Sequence, residues 1–123
     1  MSEPSLRERL LSAPGKPAGQ LTHSSAPAII HLRRLTLRDR MRVQEISGQT
    51  EANPFERLAS MVRLFAGDES NRPIFDDTLD GIAASLELPG DVADAIVEQG
   101  LTANGLGVGV AEAGKANSPP TTN

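Results

Sequence analysis

The stretch from Asn53 to Gly67 constrains this chain more than any other, because it reads as an amphipathic helix with both ends marked. Asn53 can accept from the orphan N–H groups of a first turn, and Pro54 has no N–H to lose there. Phe55, Leu58, Ala59, Val62, Phe65 and Ala66 recur at i, i+3, i+4 and i+7 spacing, Met61 widens the stripe, and Leu64 falls off it. Gly67 stands where a left-handed terminal residue is wanted. A polar turn from Gly67 to Pro73 then delivers Ile74 and Phe75 onto the start of the next helix. An apolar face this wide needs a cover, from the chain itself or from a partner.

Helix signals continue on either side. Thr36 followed by Asp39 predicts a helix from Leu37 to about Ser47, ended near Gly48, although Leu37, Met41, Val43 and Ile46 do not form one clean stripe. Asp76 or Asp77 starts a helix carrying Leu79, Ile82, Ala83 and Leu86, closed by Pro89-Gly90. Asp91 starts a last helix with Val92, Ile96 and Val97, ending around Gly100 or Asn104-Gly105. Ala28-Ile29-Ile30-His31-Leu32 reads equally as a strand or as the lead-in to a helix. Residues 1–27 are dominated by Ser, Pro, Gly and Ala and are expected to be flexible, with a short helix over Ser5–Leu11 where Ser5 and Glu8 have capping-box spacing. Residues 107–123 have the composition of a disordered tail. The expected fold is all-α, a small bundle of about four helices within residues 28–106, between two flexible tails.

Composition removes most chemistry. There is no Cys, which excludes disulfides and thiolate metal sites, and no Trp or Tyr. No apolar run approaches the ~18 residues of a spanning helix, and Met1-Ser2-Glu3-Pro4 lacks the basic and apolar regions of a signal peptide, so a soluble cytosolic protein with no membrane partner is expected. A core this small rarely supplies more than ~3–5 kcal/mol. Self-association into a homo-oligomer, or a partner adding stability by mass action, is therefore expected.

Three motifs come close to a ligand site and fail. Gly109 to Lys115 matches a phosphate-binding loop, but Ala116 follows where Ser or Thr must reach Mg²⁺, and no strand or helix flanks it. Gly105-Leu106-Gly107-Val108-Gly109 lacks dinucleotide-binding spacing. Asp68, Ser70, Asp76, Asp77 and Asp80 resemble a calcium loop in composition, yet Pro73 stands where Gly is needed and Leu79 where Glu is needed. Turn formation and helix capping account for these acids more simply. His23 and His31 are the only histidines, neither at metal-ligand spacing, and no G-x-S-x-G elbow occurs. No cofactor, metal or enzymatic activity is expected.

Charge is unevenly placed. Residues 1–64 carry a balance of +4 and residues 65–123 a balance of −8, giving the net −4. Such a chain can pair its halves internally or between copies. Arg33, Arg34, Arg38, Arg40 and Arg42 form the densest basic run. Were the helix to reach back to Arg34, then Arg34, Arg38 and Arg42 would share a face, the footprint of a small DNA-binding regulator. The acidic total and the lack of stacking aromatics make nucleic acid the weaker reading.

Three segments resemble the tail assembly chaperones of long-tailed bacteriophages. Leu35-Thr36-Leu37-Arg38-Asp39-Arg40 is similar to the opening of that family's first core helix. Asp68 to Asp77 is similar to its D-x-x-G-x-P-L-F-T-D-x-D segment, with Asn71-Arg72 replacing the usual Gly-containing turn. Leu86 to Ile96, with Asn104-Gly105-Leu106 beyond it, is similar to the stretch around its last helix. The resemblance covers residues 32–106. It implies a chaperone that keeps the long, aggregation-prone tape measure protein soluble in the host bacterial cytoplasm, is displaced as tube subunits polymerise, and is absent from the mature virion. It also implies a longer, frameshifted form that recruits tail tube protein. A minor structural subunit of the virion is the alternative within the same setting. Leu58, Met61, Val62, Phe65, Ile74, Phe75, Leu79 and Ile82 are the expected partner-binding residues, lining core and groove together.

Overall fold

Three short strands interrupt the helical order, and they correct the all-α expectation. The computed structural model describes residues 5–11 and 15–106. Along the chain run α1 (Leu6–Leu11), β1 (Gly19–Leu21), β2 (Ile30–Leu32), α2 (Leu37–Ser47), α3 (Pro54–Phe65), β3 (Ala66–Gly67), α4 (Leu79–Leu86) and α5 (Gly90–Ala103). The strands form one antiparallel sheet in the order β1-β2-β3, with Gln20 opposite His31 and Leu32 opposite Ala66. Residues 19–21, expected to lie in a flexible leader, are thus the sheet's edge, and Leu21 joins the core. The near-miss phosphate loop and the C-terminal tail lie outside the described residues.

The helices begin where side chains can close their first turns. Thr36 Oγ1 accepts from the Asp39 N–H at 3.1 Å while Asp39 Oδ2 accepts from the Thr36 N–H at 3.2 Å, a reciprocal cap that opens α2. Asn53 Oδ1 accepts from the Phe55 N–H at 2.8 Å ahead of Pro54. Helix α4 starts later than expected. Asp76 Oδ1 accepts from the Thr78 N–H at 3.1 Å, which leaves Thr78 as the cap whose hydroxyl accepts from the Gly81 N–H at 3.1 Å.

The main departure is at the end of α3. Ala66 turns extended (φ −76°, ψ 120°), so the chain passes from helix into strand with no left-handed residue. Gly67 therefore does a different job from the one expected. It pairs with His31 on one side and bridges Pro73 on the other. The Arg33 side chain crosses directly over the place where its Cβ would be, with the Arg72 carbonyl oxygen 3.0 Å away. The polar turn is the tip of a hairpin, closed by Asp68 N–H to the Arg72 carbonyl at 2.9 Å and Ile74 N–H to the Ala66 carbonyl at 3.2 Å. Asn71, at φ 66°, takes the left-handed turn position that Asn tolerates better than most residues.

Helix α3 packs against α2, α4 and α5, and α5 reaches the sheet. Val62 and Phe65 are fully buried at this junction, with Ile46, Val92 and Ile96. Phe55 departs from the helical stripe that the spacing assigned it, being 73% exposed on the first turn of α3.

Candidate partner-binding groove

Two asparagines fix the connector between β2 and α2. Arg33 N–H donates to the Phe65 carbonyl at 2.7 Å. Asn71 Oδ1 accepts from the Arg34 N–H at 2.6 Å and its amide donates to the Arg34 carbonyl at 3.2 Å. Asn104, nearly buried, accepts from the Leu35 N–H at 2.9 Å and donates to the Arg33 and Gly100 carbonyls, each at 2.9 Å. These amides supply the partners that a strand ladder would otherwise give. They tie the hairpin and the end of α5 to β2.

Between those tied elements lies an apolar groove of about 490 Å³. The loop from Ser25 to Ile29, the start of β2, the hairpin residues Gly67–Glu69, and Ile74 and Phe75 form one side of its lining; Leu88, Pro89, Val92 and Ile96 supply the α5 side. Ile29 and Ile74 are 53% and 50% exposed at this groove. The His31 Nδ1 atom is buried beside it and finds no hydrogen-bond partner among the described residues. Two acids border the groove in fixed positions. Arg72 and Ser70 N–H groups donate to Asp68 Oδ1, at 3.0 and 2.8 Å, and hold its carboxyl below the usual range. The Ser25 hydroxyl donates to Asp91 Oδ2 at 2.8 Å and, with the Val92 N–H, lowers that carboxyl too.

The eight expected binding residues do not share this groove. Ile74 and Phe75 line it. Val62 and Phe65 are wholly core. Leu58 and Met61 border a separate shallow depression with Ile46 and Pro54. Leu79 is 88% exposed on the first turn of α4, and Ile82 is half-buried on the same helix. Ile29, Leu88, Val92 and Ile96 were the residues missed. Ile29 opens an apolar run that predicted an element without saying which face it would leave open.

No protein-family model matches the chain, and no curated protein and no solved structure matches it.

The arginine run does not build a basic face. Helix α2 starts at Leu37, so Arg34 sits in the extended connector rather than one turn ahead of Arg38. Arg33 donates to the Asn71 and Leu64 carbonyls at 3.1 and 2.9 Å, and Arg40 donates to the Asn104 carbonyl at 3.0 Å. Arg38 and Arg42 border a second depression of about 420 Å³, where Asp39, Glu45, Asp76 and Asp77 alternate with the basic groups. A surface of mixed sign does not present the potential that a phosphate backbone needs. Among the described residues no three His, Asp or Glu side chains are grouped to hold a metal, and no helix is long and apolar enough to cross a membrane.

Proposed function

We propose that this protein is a tail assembly chaperone of a long-tailed phage, holding an apolar helical stretch of the tape measure protein in the groove between β2, the hairpin and α5. The observation that carries the reading is the groove itself, lined mainly by apolar side chains with Ile29 and Ile74 half-exposed to water. Concave apolar surface left open in this way is the usual mark of a binding site. An amphipathic helix offering residues at i, i+3 or i+4 spacing fits such a cleft. The client's identity comes from the resemblance of residues 35–40, 68–77 and 86–96 to that family's segments. The chaperone acts in the host cytoplasm and leaves as tube subunits replace it. The longer form that recruits tail tube protein belongs to the same reading.

Co-expression with the tape measure protein tests it. The native chain raises the client's soluble yield several-fold, and Ile29→Asp with Ile74→Asp removes the gain while the melting curve stays close to the parent's. Phe65 is unsuited to this test, since its ring is fully buried and its loss reports on folding. An unchanged yield with the native chain overturns the proposal.

A further inference from the structure

We propose that the groove has a built-in occupant, helix α1 of the same chain. Helix α1 is six residues long and buries none of them; Leu6, Leu10 and Leu11 are 64%, 68% and 74% exposed. Leu6 and Leu10 fall on one face at i, i+4 spacing, with Leu11 beside them. The first turn of the helix is nonetheless capped. Glu8 N–H donates to Ser5 Oγ at 3.1 Å, and Ser5 N–H donates to Glu8 Oε1 at 3.3 Å. A lone helix shorter than ~12–15 residues is marginal in water, so a capped helix with exposed leucines fits a segment that is completed by docking.

The tether and the charges select the surface. Gly15 packs on the hairpin tip, its Cβ position lying 3.0 Å from the Ser70 carbonyl oxygen and 3.2 Å from Asn71 Cβ. Ser70 follows Glu69, a residue of the groove lining. Residues 12–14 alone separate Leu11 from Gly15. Four Cα steps reach about 14 Å at most, which keeps the end of α1 close to the hairpin whose Gly67–Glu69 residues line this groove. Arg7 and Arg9 of α1 carry the charge opposite to that of Asp68, Glu69 and Asp91 at this groove. A tether this short gives an effective concentration in the millimolar range, so a weak contact suffices. Given the proposed function, a client helix would have to displace α1, which makes binding selective for clients longer and more apolar than two helical turns.

Because the chain has no Cys, a nitroxide attached at Ser2→Cys in the full-length protein reports α1 docking without any client. Methyl resonances of Ile29, Ile74, Val92 and Ile96 are expected to lose several-fold in intensity relative to the reduced label. Leu6→Asp with Leu10→Asp restores them, and since α1 buries nothing in the structure the body of the protein stays folded. Unbroadened groove methyls overturn the proposal, as does broadening that survives the aspartate substitutions. Equal broadening between labelled and isotope-enriched chains in a mixture assigns the helix to a second copy and overturns it too. A failure of the tape measure proposal alone leaves these readings unchanged.

Discussion

Gly100 of α5 lies against the ring of Phe65 in α3, so closely that a Cβ there would stand 2.5 Å from the ring's Cγ and 2.6 Å from its Cδ1. The helices approach to the distance that a hydrogen atom allows and a methyl group does not. Gly100→Ala is therefore expected to destabilise the fold by about 1–3 kcal/mol, since a fully buried ring has nowhere to move. Gly90, at the start of the same helix, has nothing within 4 Å of its Cβ position. There Gly90→Ala should gain up to about 1 kcal/mol from helix propensity. Urea melts of the two variants, with opposite signs on one helix, check the packing of α3 on α5.

Asn104 carries more of the structure than its place at a helix end suggests. Its side chain makes three hydrogen bonds in a nearly buried setting, and Arg40 donates to its carbonyl at 3.0 Å. In Asn104→Asp two carbonyls lose their donor and face a carboxylate instead. The expected loss is about 2–4 kcal/mol, more than a single hydrogen bond accounts for, because each stranded buried group bears its own desolvation cost. Urea melts of Asn104→Asp against the native chain check the size of that loss.

The helices were legible because their starts are local. Thr36 with Asp39, and Asn53 with Pro54, name a first turn from neighbours within three residues, and α2 spans Leu37–Ser47 as the spacing predicts. The sheet was not legible. Gly19-Gln20-Leu21 has no apolar alternation, and Ile30-His31-Leu32 is too short to show the period of a strand. Their pairing depends on residues far along the chain, such as Ala66 opposite Leu32. The groove shared that fate. Periodicity gathered Leu58, Val62 and Phe65 on one face, but how far other elements cover that face is set by α5 and the sheet. Phe55 was left outside and Ile29 was brought to the groove.

Acid should weaken the protein through three carboxylates. Asp68, Asp76 and Asp91 are each held below the ordinary range, by the Arg72 N–H, the Thr78 hydroxyl and the Ser25 hydroxyl respectively. A depressed folded pKa means the unfolded chain binds protons first, so stability falls as pH falls. The contribution is fully present above the unfolded value of about 3.9 and disappears as pH drops through the lower folded values. Melting temperature should be flat near neutrality and fall below about pH 4. Asp68→Asn keeps an oxygen for the turn and should shallow that fall without altering the neutral melting point much, which a pH series of thermal melts would show.

Arg33 and Gly67 should behave as one unit. The Arg33 side chain passes over Gly67 to reach the Asn71 and Leu64 carbonyls, with the Arg72 carbonyl oxygen 3.0 Å from the Gly67 Cβ position. In Gly67→Ala the new methyl group displaces the arginine, so both carbonyls lose their donor as well as their fit. Arg33→Ala loses the same two hydrogen bonds but leaves the space empty. Made together, the substitutions forfeit those bonds once, and the remaining strain is only the contact with the Arg72 carbonyl. The double variant should therefore be more stable than the sum of the two losses by about 0.5–2 kcal/mol. Additive losses in a double-mutant cycle would show that Gly67 is fixed by the Arg72 backbone alone, and that the guanidinium does not clamp the hairpin onto the end of α3.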